Sequence, residues 1–160
     1  MIGNNDKYLY NNTALCVMTV LSVMKACKKV PLCNALLICP LLMHNQTLTY
    51  FKGRRKPVSL EELITNEQSL IIWFSDRFYS FLTPSFNAIS ICIEANLLDI
   101  SNGNLVGSKA VEELDYNKFG NRASDIAEAI KTVSGIFTAT PADNYLQLRI
   151  ILWNSQLIRF

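Results

Sequence analysis

A densely apolar stretch, Thr13–Met24, constrains the fold of this sequence more than any other feature. It is about twelve residues long and runs into several lysines, whereas a membrane-spanning helix needs about 20 apolar residues. A helix that is apolar on most of its sides is normally buried. We therefore expect a buried helix that is capped at Asn11-Asn12-Thr13, is ended by Pro31 and follows a polar arm, residues 1–10.

Apolar periodicity divides the rest of the sequence into helices of ordinary length. Large apolar side chains recur at the 3.6-residue spacing of helices, and N-cap residues or proline mark where several of them begin. Strand-like composition occurs at Thr47–Phe51, and Asn102-Gly103 predicts the turn of a hairpin over Leu98–Val106. The expected helices are Leu32–His44 with a break at Pro40, Ser59–Ile64, Asn66–Leu82, Pro84–Asn96, Arg122–Phe137 and a short helix from Pro141.

Three short helices followed by a hairpin are the element order of a winged helix-turn-helix, which we expect at about residues 59–107. In its third helix, the apolar stripe Phe86, Ile89 and Ile93 would pack inward on Leu70, Trp73 and Phe74. The sequence thus predicts a mainly α fold. It predicts one small helical domain over residues 11–160 with this winged helix-turn-helix-like centre.

The charge of the expected third helix separates two functions for such a centre. A helix that enters the major groove of DNA needs donors for bases and phosphates. Pro84–Asn96 contains no Lys or Arg and one acid, Glu94. Use of the fold as a protein-docking module is therefore favoured, and a DNA-binding winged-helix regulator is the alternative.

Residues that carry enzyme chemistry do not form a recognisable constellation. The single histidine, His44, has no metal-binding partners at ligand spacing, and the pairs Glu61-Glu62 and Glu112-Glu113 are typical of solvated helix faces. Phosphate-binding glycine motifs are missing. The five cysteines, an odd number without a CxxC pair, indicate reduced and buried thiols. We expect no catalytic residues, no cofactor and no metal.

Two further features point to binding. Charged residues make up 18% of the chain, against roughly 25% in typical domains, so a partner could cover part of its apolar surface. Lys52, Arg54, Arg55 and Lys56 form a basic loop that could contact phosphates or an acidic partner; a purely solvated loop is the alternative. Trp153 and Phe160 lie in an apolar C-terminal segment that must dock on a partner or on the chain's own core.

Several segments together resemble the middle component of bacterial ABC three-component systems, the small subunit of Lamassu-type anti-phage defence. The resemblance covers roughly residues 8–150. Thr13 stands where the family usually has proline, and Leu146–Ile150 departs from the family's Leu-Gly-Val-Arg-Pro. The segments that carry the resemblance are, in order, Tyr10–Cys16, Cys39–His44, Ser59–Leu63 and Glu94–Leu98 before a hairpin, and then a late amphipathic helix followed by a Thr-Pro helix.

This resemblance implies a cytoplasmic, non-enzymatic adaptor with no catalytic residues to carry over. Its expected partners are an SMC- or Rad50-like ATPase and an effector, often a nuclease, in an anti-phage or anti-plasmid defence complex. DNA would be contacted at most indirectly through the complex, and a membrane not at all.

Overall fold

A computed structural model describes residues 5–150 of the chain. The first helix, α1 (Asn5–Cys27), forms the centre of the fold and packs between two other long helices, α6 (Phe74–Glu94) and α8 (Asn121–Thr138). It begins before the N-cap predicted at Asn11-Asn12-Thr13, so residues 5–10 belong to the helix and not to an arm. Its inward side is fully buried, as the apolar stretch predicts; examples are Cys16, Val20 and Val23.

The elements between α1 and α6 are short. The segment Leu32–His44 is broken as expected, although the break precedes Ile38 and Pro40 lies within the second piece. The helix α5 begins after Ser59, whose side chain accepts a hydrogen bond from the Glu62 N–H, as the sequence predicts. The elements are β1 (Lys29–Pro31), α2 (Leu32–Ala35), α3 (Ile38–Leu42), α4 (Asn45–Lys52), α5 (Leu60–Asn66) and a 3₁₀ turn (Gln68–Leu70).

The strand predicted at Thr47–Phe51 is wrong, because these residues lie in α4. Thr47, Leu48 and Phe51 are buried, a spacing that a helix places on one face and a strand would divide between two. That face packs on α8. Burial decided the conformation here over the strand preference of Thr, Tyr and Phe, which depends strongly on context.

The boundary predicted at Thr83-Pro84 is also wrong. Helix α6 runs from Phe74 to Glu94 with Pro84 inside it, so the two separate helices of the expected winged helix-turn-helix are one helix. Proline in a helix interior loses a hydrogen bond and costs about 3 kcal/mol. The cost is offset because the buried side chains on both sides of Pro84 share one face, and a continuous helix keeps all of them packed on the core. They are Phe74, Phe78, Ser85, Ala88, Ile89 and Cys92.

A three-stranded antiparallel sheet, ordered β1–β3–β2, closes one side of the fold. Its β2 (Leu98–Ser101) and β3 (Asn104–Gly107) form the predicted hairpin. Asn102 and Gly103 both have positive φ, 49° and 74°, as a two-residue type I′ turn requires. Val30, Leu105 and Ile100 lie in register across the three strands, and the first two are buried.

The C-terminal half of the described chain confirms two predicted helices. After α7 (Lys109–Glu113) and a 3₁₀ turn (Tyr116–Phe119), α8 covers the predicted Arg122–Phe137, and α9 (Pro141–Gln147) begins at the expected proline. The mainly α class is confirmed. Within residues 5–150, no helix is long and apolar enough to cross a membrane.

Candidate functional site

Large apolar side chains are exposed beside the first turn of α6. Ile72 is 64% exposed, Trp73 71% and Leu146, at the end of α9, 77%. Ile72 and Leu146 border neighbouring cavities that share Ile64, Gln147 and Arg149. We call Ile72, Trp73 and Leu146 the Ile72 patch. The prediction that Trp73 packs inward is wrong, because Trp73 precedes α6 and the helix starts at Phe74, which is fully buried.

A groove lies on the flank of α6 beside α2 and α9. It encloses about 570 Å³, and no charged side chain lines it. Tyr79 and Phe86 are 45% and 50% exposed, so the prediction that Phe86 packs inward is also wrong. The inward face of α6 is rotated relative to the face predicted for Pro84–Asn96. On the observed face Ile89 is buried and Ile93 is partly buried. The residues that line this apolar groove are Cys33, Leu36, Phe78, Tyr79, Leu82, Phe86, Pro141, Ala142 and Tyr145.

Tyr145 of α9 contacts both α2 and α6 across the apolar groove. Its hydroxyl donates to the Cys33 carbonyl over 2.7 Å, and its ring meets the Phe78 ring edge-on at 5.8 Å. Burial raises the pKa of Tyr145 well above its ordinary value. The phenol therefore stays protonated and acts as a structural donor.

Two buried amides fix the helices that form this groove. Asn34 donates from Nδ2 to the carbonyls of Phe137 and Ala139, at 3.0 and 2.7 Å. Asn144 donates to the Asn34 Oδ1 and to the Ile136 carbonyl. The pair joins α2, the end of α8 and α9, and thereby sets the position of the groove wall.

The last turn of α6 and the hairpin each expose one further large apolar side chain. Ile100 on β2 is 47% exposed, and Ile91, in the last turn of α6, is 45% exposed. β2 is an edge strand, but the Asp99 carboxylate accepts from the Ile100 N–H over 2.7 Å. With that amide already bonded, the edge offers its side chains more readily than its backbone.

The structure divides the basic loop into two pairs. Lys52 pairs with Asp125 on α8, and Arg54 lies over the Tyr50 ring, 4.3 Å from its centre. Arg55 and Lys56 are exposed and form no ion pair with the described part of the chain. These two are the cations of the loop that remain available to a partner.

Residues with potential chemistry serve the fold. His44 precedes α4 and shares a hydrogen bond between its Nδ1 and the Thr47 hydroxyl. Burial, and then the neighbouring Arg77, lower its pKa. The Glu112-Glu113 pair is exposed, as expected. No group of metal-ligating side chains large enough for a metal site occurs among the described residues.

All five cysteines are free thiols, and Cys16, Cys39 and Cys92 are buried as expected. The Cys16 thiol lies 3.3 Å from the Met43 sulfur, and burial raises the pKa of Cys92 to about 11. Cys27 is only partly buried and Cys33 is exposed, so the expectation of burial is wrong for Cys33, which lies in the groove wall.

A cavity of about 630 Å³ between α1 and α8 has Lys25 and Tyr116 in its lining, and both side chains are already engaged. Lys25 donates to the Leu114 carbonyl and lies 5.3 Å from the centre of the Tyr116 ring. The Tyr116 hydroxyl donates to the Leu21 carbonyl, and burial raises its pKa. The arrangement holds the 3₁₀ turn on α1.

The remaining predicted site residues, Trp153 and Phe160, lie outside the described residues. Sequence reasoning missed the exposure of Tyr79 and Phe86, because it placed a helix boundary at Pro84, and it also missed the exposed Ile72 before α6. A continuous reading of the apolar spacing through Pro84 would have shown which side of α6 faces outward.

Comparison with known proteins identifies the family of this chain. No curated protein and no solved structure matches the chain. One family model does match, that of the ABC-three component (ABC-3C) system Middle Component 3, over residues 7–150. Since this match covers most of the sequence, the chain belongs to the ABC-3C system Middle Component 3 family.

Proposed function

We propose that this chain is a non-enzymatic subunit that joins two other proteins in a Lamassu-type anti-phage or anti-plasmid defence complex. The partners are an SMC- or Rad50-like ATPase and an effector, often a nuclease. Membership of a middle-component family supports joint action with the other components of the system. The cytoplasm, where phage and plasmid DNA arrive, is the proposed location.

The observation that carries this proposal is the presence of exposed apolar sites at both ends of α6. The Ile72 patch lies beside its first turn, Ile91 lies in its last turn, and Ile100 lies on the hairpin that follows α6 in the chain. A 21-residue helix is about 30 Å long. Two proteins could therefore bind at once without competing for the same residues.

The side chains at these sites fit protein partners. Interface cores are depleted of charge and enriched in aromatic residues, and a few such residues supply most of the binding energy. Trp73 combines a large ring with 71% exposure. It is the strongest candidate for such an anchor in the described part of the chain.

Arg55 and Lys56 provide a separate electrostatic contact in this proposal. Their partner is an acidic surface of the complex, or DNA that the ATPase holds. Lys52 is paired with Asp125 and Arg54 lies over the Tyr50 ring, so both hold the loop in place. They contribute less to the contact with the partner.

The proposal is tested by co-expressing the ATPase and the effector with and without this chain. Size-exclusion chromatography should show one particle with all three proteins, and separate ATPase and effector peaks when the chain is omitted. Equal co-elution of ATPase and effector without the chain would refute the bridging role.

A further inference from the structure

Ten residues follow Ile150 in the sequence, and they are strongly apolar. The segment 151–160 reads Ile-Leu-Trp-Asn-Ser-Gln-Leu-Ile-Arg-Phe and carries one charge, Arg159. Trp153, Leu157 and Phe160 are spaced i, i+4 and i+7, which is typical of an apolar stripe that packs on a surface. Such a segment needs an apolar site to cover it, because isolated domains rarely leave so much apolar surface in water.

The end of α9 directs the chain toward α6. Arg149 has a positive φ of 51°, and the Ile150 N–H donates back to the Tyr145 carbonyl over 3.2 Å, which closes the helix. Leu148 and Arg149 line a cavity of about 230 Å³ together with Ser75 of α6. The described chain therefore ends beside the outer flank of α6.

The outer flank of α6 connects this point with the apolar groove. Ser75 lies one helical turn before Tyr79 on the same side of the helix, and Leu82 and Phe86 continue that side. The distance from Ser75 to Phe86 along the helix is about 16 Å. Ten residues span about 15 Å as a helix and at most about 36 Å when extended, so the segment can reach across the groove.

The apolar groove matches this segment better than the smaller cavity does. It has about 570 Å³ against about 230 Å³, and its lining lacks the glutamines and the arginine that border the smaller one. Its exposed rings, Tyr79 and Phe86, offer the edge-to-face contacts that a tryptophan prefers. We propose that residues 151–160 of the same chain occupy the apolar groove between α6 and α9, with Trp153, Leu157 and Phe160 turned toward it.

Cys33 provides a reporter inside the groove, because its thiol is free and exposed in the described structure. In the full-length chain a docked segment should shield this thiol from a maleimide reagent. The double variant Trp153→Ser, Phe160→Ser should label at Cys33 about tenfold faster, which corresponds to the loss of about 1.4 kcal/mol of docking free energy. The matched variant Asn154→Ala, Gln156→Ala changes the same segment outside the stripe and should label at the wild-type rate.

Peptide mass spectrometry locates the label and controls for unfolding. Cys16, Cys39 and Cys92 are buried, so they should stay unlabelled in every variant that remains folded. Equal labelling of Cys33 in the wild type and in the double variant, with these three thiols still protected, would overturn the proposal.

A cross-link distinguishes docking within one chain from exchange between copies. In the Leu157→Cys variant, a short bis-maleimide should join residue 157 to Cys33 within a single chain. The product should migrate as a monomer and disappear when Cys33→Ser is added. A covalent dimer would show that a second copy fills the groove, and failure to cross-link would show that the segment lies elsewhere; either result refutes the proposal.

Discussion

At the scale of single residues, the fold depends on a few buried polar groups with complete hydrogen bonding. Asn34 is fully buried and Asn144 is 3% exposed, yet three backbone carbonyls accept from their amides. A buried polar group that keeps all its partners costs little, whereas one that loses them costs about 1–3 kcal/mol. The position of α9, and with it the groove, depends on this pair.

Replacing Asn34 with Ala should therefore lower the free energy of unfolding by about 2–4 kcal/mol, since carbonyls of Phe137 and Ala139 lose their donor and Asn144 loses an acceptor. Urea denaturation measures this change. The exposed Asn87→Ala on α6 is the control and should change the free energy by less than about 0.5 kcal/mol. A loss below about 1 kcal/mol for Asn34→Ala would show that the amide pair does not support α9.

His44 should make stability depend on pH. Burial and Arg77 lower its pKa from 6.5 in the folded chain, so the unfolded chain binds the proton more readily. The stability that neutral His44 contributes to the folded chain is fully present above pH 6.5. It is lost as the pH falls from 6.5 toward the lowered pKa. Urea midpoints should fall between pH 7.5 and pH 5.5 in the wild type and less in His44→Asn, which removes the titrating ring and places a common N-cap residue before α4. Equal slopes for both proteins would contradict this account.

At the scale of elements, α6 decides which residues reach the surface. The continuous face from Phe74 to Cys92 packs on α1 and holds the helix together across Pro84. The same continuity places Tyr79, Leu82 and Phe86 along one outer flank. The proline therefore carries a local cost that the packing of the whole helix offsets.

Pro84→Ala should raise the free energy of unfolding by about 1–3 kcal/mol, because alanine returns an N–H that can bond to the Ser80 carbonyl and fits a helix without strain. Thermal and urea unfolding measure the change. Thr83→Ala, at the exposed neighbouring position, should raise it by less than about 1 kcal/mol. If Pro84→Ala instead lowered the free energy of unfolding, the packing of the proline ring would stabilise the fold by more than the lost backbone hydrogen bond costs.

The basic loop makes a prediction that separates its two pairs of cations. Arg55→Ala with Lys56→Ala should leave the melting temperature unchanged and weaken binding to the complex mainly at low salt, since exposed charges are screened within about 10 Å at 0.1 M salt. Lys52→Ala should lower the melting temperature because it removes the partner of Asp125. If binding to the complex kept the same salt dependence after the double substitution, Arg55 and Lys56 would contact no partner and the loop would be purely solvated.

The sequence allowed some elements to be predicted because their signals are local. The Asn102-Gly103 turn, the Ser59 cap and the start of α9 at Pro141 each depend on a few adjacent residues. The conformation of Thr47–Phe51 and the course of α6 through Pro84 depend instead on burial against α8 and α1, which local preference does not contain. The helix boundary wrongly predicted at Pro84 also led to wrong surface residues, because the residues on the outer side of α6 depend on where the helix begins and on its continuity.

At the scale of the whole molecule, α1 at the centre leaves both ends of α6 for contact with other proteins. The Ile72 patch and Ile91 are separated by nearly the whole length of α6, about 30 Å. In our proposal the segment 151–160 occupies the apolar groove on the outer flank of α6. One small subunit can then hold two partners.

The central claim, that two partners bind at separate sites, is tested most directly by exchanging one anchor at each end of α6. Trp73→Ser and Ile91→Ser should each abolish co-purification of one partner and retain the other, and the two variants should lose different partners. Both side chains are about half exposed or more, so both variants should fold. Phe119→Ser, 52% exposed on the 3₁₀ turn before α8, is the control and should retain both partners. Loss of the same partner in both variants, or of neither, would contradict the account.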